Sequence, residues 1–213
     1  MSPGARLRPA RPGPAGRLRS LADGGYSLLE LVFAVGVGIT TSAVAVPQLF
    51  AGLDDVRASG AARYVSARLQ RARMEAVMRS TNVAIQFTDT GNGYEYAVYL
   101  DGNGNGVLTK DIESGVDRRI SEVESLRSQF TGVDFGAVGG LPPVDPGGTA
   151  PGADPIRLGA GSLASFSPIG SSSSGTVYIR GRGDSQYAVR IFGETGKTRM
   201  MKFNRQTRRW SQL

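Results

Sequence analysis

From Gly24 to Leu53 the chain carries one charged side chain, Glu30, in an otherwise uncharged and largely apolar run. About 20 apolar residues are enough to cross a bilayer as a helix. A lone carboxylate in such a span is unfavourable by roughly 2.5–3.5 kcal/mol when it sits at the helix centre, which makes Glu30 a functional residue by default. Ahead of the run stands a leader rich in Pro, Gly, Ala and Arg (Arg6, Arg8, Arg11, Arg17, Arg19) with no apolar periodicity. Such a composition is expected to be disordered, and its charge places it on the cytoplasmic side. An ordinary secretory signal is the competing reading, with cleavage after Ala43-Val44-Ala45 and a mature start near Val46. Glu30 opposes it, because an acidic residue inside the apolar region weakens insertion.

Ala34, Gly36 and Gly38 would let neighbouring helices approach closely, and Pro47 is expected to kink or open the helix, since it cannot donate to the carbonyl four residues back. Past Leu53 the composition turns polar but the helical period persists. Ala61, Val65, Leu69, Ala72 and Ala76 recur at helical spacing and, with Tyr64, form one apolar stripe. Arg57, Arg63, Arg68, Arg71, Arg73 and Glu75 fall mostly off it, as a solvated face would. The pattern predicts one helix from about Tyr26 to about Arg79, its second half packed on a sheet.

Residues 81–213 read as a β-rich head. Val83, Ile85 and Phe87 alternate, Thr90-Gly91-Asn92-Gly93 turns, and Tyr94, Tyr96, Val98 and Leu100 alternate again, the signature of a hairpin. Asp101, Asn103 and Asn105 then stand at positions 1, 3 and 5 of a loop with Gly106 at position 6. With Val107 and Asp111 they match the first half of a calcium loop, but position 12 is Ile112. The residues leave two readings open, a weak Ca²⁺ site or a plain Asn/Gly turn, and the missing twelfth ligand favours the turn. A strand is expected around Phe130–Phe135, a surface loop over Leu141–Pro155, and strands over Ser165–Pro168, Thr176–Arg180, Tyr187–Phe192 and Lys197–Phe203.

The chain has no Cys and no His, so no disulfide staples it, and the commonest zinc ligand and general base are missing. No catalytic constellation is expected, and no cofactor beyond the weak Ca²⁺ reading. The net charge of +7 drops to +3 once the leader's five arginines and Asp23 are set aside. The basicity that remains is concentrated in a tail of Lys197, Arg199, Lys202, Arg205, Arg208 and Arg209, interleaved with Phe203 and Trp210. Such a strip could neutralise phosphates and stack on bases, although strand alternation would turn many of these charges to solvent.

Gly25-Tyr26-Ser27-Leu28-Leu29-Glu30-Leu31 resembles the processing and methylation motif of type IV pilins and type II secretion pseudopilins, with Tyr where Phe is usual. Phe166-Ser167-Pro168-Ile169-Gly170, Gly175-Thr176-Val177-Tyr178-Ile179, Thr195-Gly196-Lys197 and Trp210 resemble the carboxyl-terminal part of the GspH/FimT-type subgroup. The resemblance implies an α+β, type IV pilin-like fold with four parts: a cleaved leader (1–25), a transmembrane or filament-core helix (26–52), an amphipathic continuation (53–80) and a periplasmic head (81–213). It implies cleavage between Gly25 and Tyr26 by a prepilin peptidase and N-methylation of Tyr26. It implies that Glu30 pairs with the amine of a neighbouring subunit, and that a proline such as Pro47 belongs to the assembling helix. The function implied is that of a minor pseudopilin at the inner membrane, assembled on a membrane platform with other pseudopilins into a short periplasmic filament for protein secretion. The alternative it leaves open is a FimT-like minor pilin that binds DNA through the basic tail.

Overall fold

The computed structural model describes residues 25–159 and 161–213; the arginine-rich leader up to residue 24 lies outside the described residues. A helix, α1, occupies Leu28–Arg79, close to the limits its periodicity predicts. The Ser27 hydroxyl caps it, accepting the backbone N–H of Glu30 at 3.1 Å. This satisfies one of the donors that a helix start leaves unpaired, and Ser27 with Glu30 three residues on is a capping-box sequence. The helix runs on through position 47; the Pro47 side chain lies outside the described residues.

The chain divides into a unit ending at Val44 and a second unit, Ala45–Leu213. Within the first, Leu28, Leu29, Phe33 and Ile39 are uncovered, and α1 is long and apolar enough to cross a membrane by length and composition. Within the second, the expected stripe is buried: Ala61, Val65, Leu69, Ala72 and Ala76 are at most 3% exposed, and Ala58 and Ala62 join them. So many alanines on one face let the helix approach the strands beneath it closely.

Two antiparallel sheets meet this stripe. The first is built on β1 (Val83–Asp89) and β2 (Tyr94–Leu100), the predicted hairpin, in register from Val83 opposite Leu100 to Asp89 opposite Tyr94. Short strands β3 (Arg118–Arg119) and β4 (Glu124–Ser125) pair with β2. A five-residue helix, α2 (Thr109–Glu113), precedes them, and α3 (Leu126–Gln129) follows. The strand expected around Phe130–Phe135 is reduced to β5 (Asp134–Phe135), which joins the second sheet. Then come β6 (Ile156–Leu158) and β7 (Leu163–Phe166), the latter added to the free side of β1. The rest of the second sheet is β8 (Gly175–Arg180), β9 (Gln186–Ile191), β10 (Thr198–Asn204) and β11 (Arg209–Gln212), in the order β11-β10-β9-β8-β5, with β6 also on β8. Ile85, Phe87 and Val98 of the first sheet and Val177, Ile179, Val189 and Ile191 of the second close one core with α1.

The Leu141–Pro155 segment differs from the loop the sequence predicts. It has no strand or helix, but Leu141 is buried with Tyr178 and Ala188 on the sheet face away from the main core, beside Val144, Met201, Phe203 and Trp210. The Trp210 indole donates to the Pro142 carbonyl at 3.0 Å. Tyr178, Phe203 and Trp210 offered this face a large apolar area, and the segment covers it.

Candidate functional site

The amino-terminal motif is the first candidate site. Gly25 and Tyr26 precede α1 and belong to no helix or strand, and Tyr26 is 82% exposed. Glu30 occupies the first helical turn, where the helix dipole favours a negative charge. It therefore stands at the end of the apolar segment rather than at its centre, one turn from the Gly25–Tyr26 bond. In this position the carboxylate is available to a cation supplied from outside its own helix.

The loop after β2 is the second. Asp101 is nearly buried and acts as a hub. Its Oδ1 accepts the backbone N–H groups of Asn103 (3.1 Å) and Gly104 (2.7 Å), and its Oδ2 accepts those of Gly106 (2.8 Å) and of the Asn82 amide (2.8 Å). Gly104 and Gly106 hold φ of 82° and 90°, the left-handed region that lets the chain wrap one carboxylate. Burial works against the charged Asp101, but these donors outweigh it and hold its pKa below the usual aspartate range. Asp111, brought close by α2, accepts from the side-chain amides of Asn105 (3.0 Å) and Asn103 (3.4 Å). Val107 is buried. The residues proposed for calcium are thus brought together, and the donors that gather on Asp101 and Asp111 are N–H groups of the loop itself and the Asn82 amide ahead of β1. Asp117, which the sequence does not single out, completes the arrangement. It is 1% exposed and accepts from the Gly102 and Leu108 N–H groups at 3.0 and 2.9 Å.

The basic tail does not form one face. Arg199 stacks over the Phe192 ring, 5.0 Å from its centroid. Lys202, at odd spacing from it on β10, turns to the opposite side, where its ammonium meets Asp55 of α1 at 2.7 Å. Arg205 and Arg208 belong to the turn between β10 and β11, and Arg208 donates to the Gly140 carbonyl at 3.2 Å. Arg209 opens β11, and Lys197 precedes β10. An interface that reads phosphates with this strip would have to dismantle the Lys202–Asp55 contact.

Two polar clusters that the sequence does not mark anchor α1 to the head. The Glu124 carboxylate accepts from the Tyr64 hydroxyl, from Tyr96 at 3.2 Å and from Gln129 at 3.1 Å, and it pairs with Arg68. Burial opposes the charge on Glu124, and the Tyr64, Arg68, Gln129 and Tyr96 donors overcome it, so its pKa lies below the ordinary glutamate range. Asp55 likewise accepts from the buried Tyr187 hydroxyl at 2.8 Å as well as from Lys202. The α1 residues Asp55, Tyr64 and Arg68 stand 56 to 147 residues from their partners on the head, a separation that leaves no local signal.

A family model described as "Type II transport protein GspH" matches residues 61–195, from the middle of α1 to the turn before β10. The chain belongs to the GspH family. The match covers the helical stripe from Ala61, the first sheet, the Asp101 loop and strands β5, β6, β8 and β9 of the second sheet, which gives the pilin-like α+β fold its family assignment. A search of curated proteins and a search of solved structures each found no match. GspH-family membership makes the chain a structural, pilin-like subunit of type II transport, in association with other subunits of that kind. The apolar Leu28–Arg79 helix fits a single-pass anchor for such a subunit. The amino-terminal motif lies outside the matched residues and stands on its own chemistry.

Proposed function

We propose that the chain is a minor pseudopilin of a type II secretion machine. It is held in the inner membrane by the first part of α1, with its head in the periplasm. Cleavage between Gly25 and Tyr26 by a prepilin peptidase and methylation of the new amine prepare it for assembly. On a membrane platform it then leaves the bilayer laterally and joins other pseudopilins in a short periplasmic filament. The observation that carries this reading is a GspH-family head on a capped apolar helix whose first turn holds the only carboxylate of the span.

Glu30 supplies the assembly step. A carboxylate facing hydrocarbon needs a partner, and the amine at the start of a neighbouring subunit is one. Leaving either charge alone in that medium costs several kcal/mol, so pairing fixes the register between subunits. Glu30→Leu and Glu30→Ala test this. Both variants are expected to fractionate with the membrane as wild type does but to be lost from crosslinked species containing other pseudopilins. Normal incorporation and normal secretion with both variants would overturn the reading.

A further inference from the structure

Three strands of the second sheet set Arg157, Thr176 and Arg190 side by side: Arg157 lies opposite Thr176, and Thr176 opposite Arg190. With strands about 4.8 Å apart, the two arginines start roughly 10 Å from one another with only a threonine between them. The Leu141–Pro155 segment, folded over this face, turns the row into one wall of a cavity of about 250 Å³. That is below the 300 Å³ or so at which drug-sized ligand pockets begin, so it suits a smaller molecule.

The groups around the cavity differ in how far they are satisfied. Arg190 is engaged on two of its nitrogens. Its Nε donates to Asp145 at 2.5 Å, and the neighbouring nitrogen donates to the Ser174 hydroxyl and to the Gly175 and Ile191 carbonyls. Arg157 is exposed on β6 and has no ion pair among the described residues. Tyr178 also lines the cavity; it is 2% exposed, yet its hydroxyl makes no hydrogen bond among the described residues. The hydroxyl is not sealed in the core, where Arg68 Nε is the one buried polar side-chain atom without a partner among the described residues; it opens onto the cavity, which places it for a ligand. It remains a donor at neutral pH: burial pushes its pKa up to about 12, with Arg157 and Arg190 pulling it down and Asp145 raising it.

We propose that this cavity binds a small carboxylate-bearing ligand, with Arg157 holding the carboxylate and the Tyr178 hydroxyl donating a second hydrogen bond. The charge balance selects the class. Asp145 already neutralises Arg190, which leaves one unmatched guanidinium, that of Arg157, in the lining. A monoanion matches this balance and a phosphate dianion does not. The planar guanidinium also matches the two oxygens of a carboxylate. Thr176 and Ser174 add hydroxyls for the remainder of the ligand. The carboxylate can come from an acidic sugar or from the end of a peptide.

Trp210 is the only tryptophan and its ring lies 5.9 Å from that of Tyr178, so its fluorescence reports on the site. Full-length protein in detergent, at constant ionic strength, is titrated with glucuronate, N-acetylglycine, inorganic phosphate and glucose. Saturable binding of glucuronate identifies a sugar acid, and saturable binding of N-acetylglycine a peptide end; either supports the site. Glucose and phosphate are expected to bind at least about tenfold more weakly than the better carboxylate, and Arg157→Gln to weaken that carboxylate about tenfold or more. Tyr178→Phe should weaken it about threefold, with both variants keeping the wild-type thermal midpoint. No saturation with either carboxylate, phosphate binding as tight as the carboxylates, or Arg157→Gln binding like wild type would each overturn the proposal.

Discussion

Lys202 on β10 and Asp55 on α1 meet at 2.7 Å, and the same carboxylate takes the hydroxyl of Tyr187 at 2.8 Å. The two ends of this cluster are not equivalent. Lys202 and Asp55 are about two-fifths exposed, and a pair of that kind contributes about 0–1 kcal/mol. Tyr187 is 1% exposed, and its hydroxyl loses its acceptor when Asp55 goes. Asp55→Ala is therefore expected to destabilise the head by about 1–3 kcal/mol, and Lys202→Met by less than about 1 kcal/mol. Urea unfolding of both variants checks this ordering; equal losses would contradict it.

The Asp101 loop is expected to be indifferent to calcium. Four N–H donors already converge on its two oxygens, and the twelfth-position carboxylate of a calcium loop is missing at Ile112. Binding at a hundredfold excess over Kd would stabilise by about 2.7 kcal/mol and raise the melting point by several degrees. Thermal midpoints in millimolar calcium and in chelator are expected to coincide, and a rise of several degrees with calcium would restore the metal reading. Asp101→Ala should lower the midpoint in both conditions, since it leaves three backbone N–H groups without their acceptor.

Glu124 and Asp101 both have folded-state pKa values below their ordinary ranges, each because hydrogen-bond donors outweigh burial. A depressed carboxylate pKa gives stability that is complete above the unfolded value and is lost as pH falls through the folded one. With unfolded values near 4, the loss should begin below about pH 5 and continue through pH 3. The pKa of Asp55 is depressed as well, and Glu124→Gln removes one of these titrating groups. Its midpoint is expected to trail wild type at pH 7 and to approach it toward pH 3. A constant gap across that range would show that Glu124 does not titrate with folding.

The sequence makes legible what repeats with a fixed period. The α1 stripe, the first hairpin and the β8–β10 strands lie where alternation and glycine turns put them, because each can be recognised from neighbours a few residues apart. The β3, β4 and β5 strands are two residues each and exist only because β2 and β8 offer them an edge. Nothing in Arg118-Arg119 or Glu124-Ser125 alternates for long enough to show. The contacts of the tail are hidden for a related reason. Lys202 looks like one more cation in a basic strip, and only the approach of α1 reveals that Asp55 has claimed it. Leu141–Pro155 reads as solvent loop from its Pro and Gly content, but Leu141, Val144 and the Pro142 carbonyl match an apolar sheet face that the sequence does not disclose. At the amino terminus the reading of Gly25, Tyr26 and Glu30 rests on local chemistry alone, and the mature amino terminus is what tests it.

If the apolar segment is a processed, assembling helix rather than a secretory signal, the mature amino terminus must show it. Protein recovered from membranes of cells that make the prepilin peptidase is to be digested and its first peptide weighed and sequenced. The expected result is a chain beginning at Tyr26 with one methyl group on its amine, and a chain retaining Gly25 in cells without the peptidase. A mature chain beginning near Val46, after Ala43-Val44-Ala45, would contradict it.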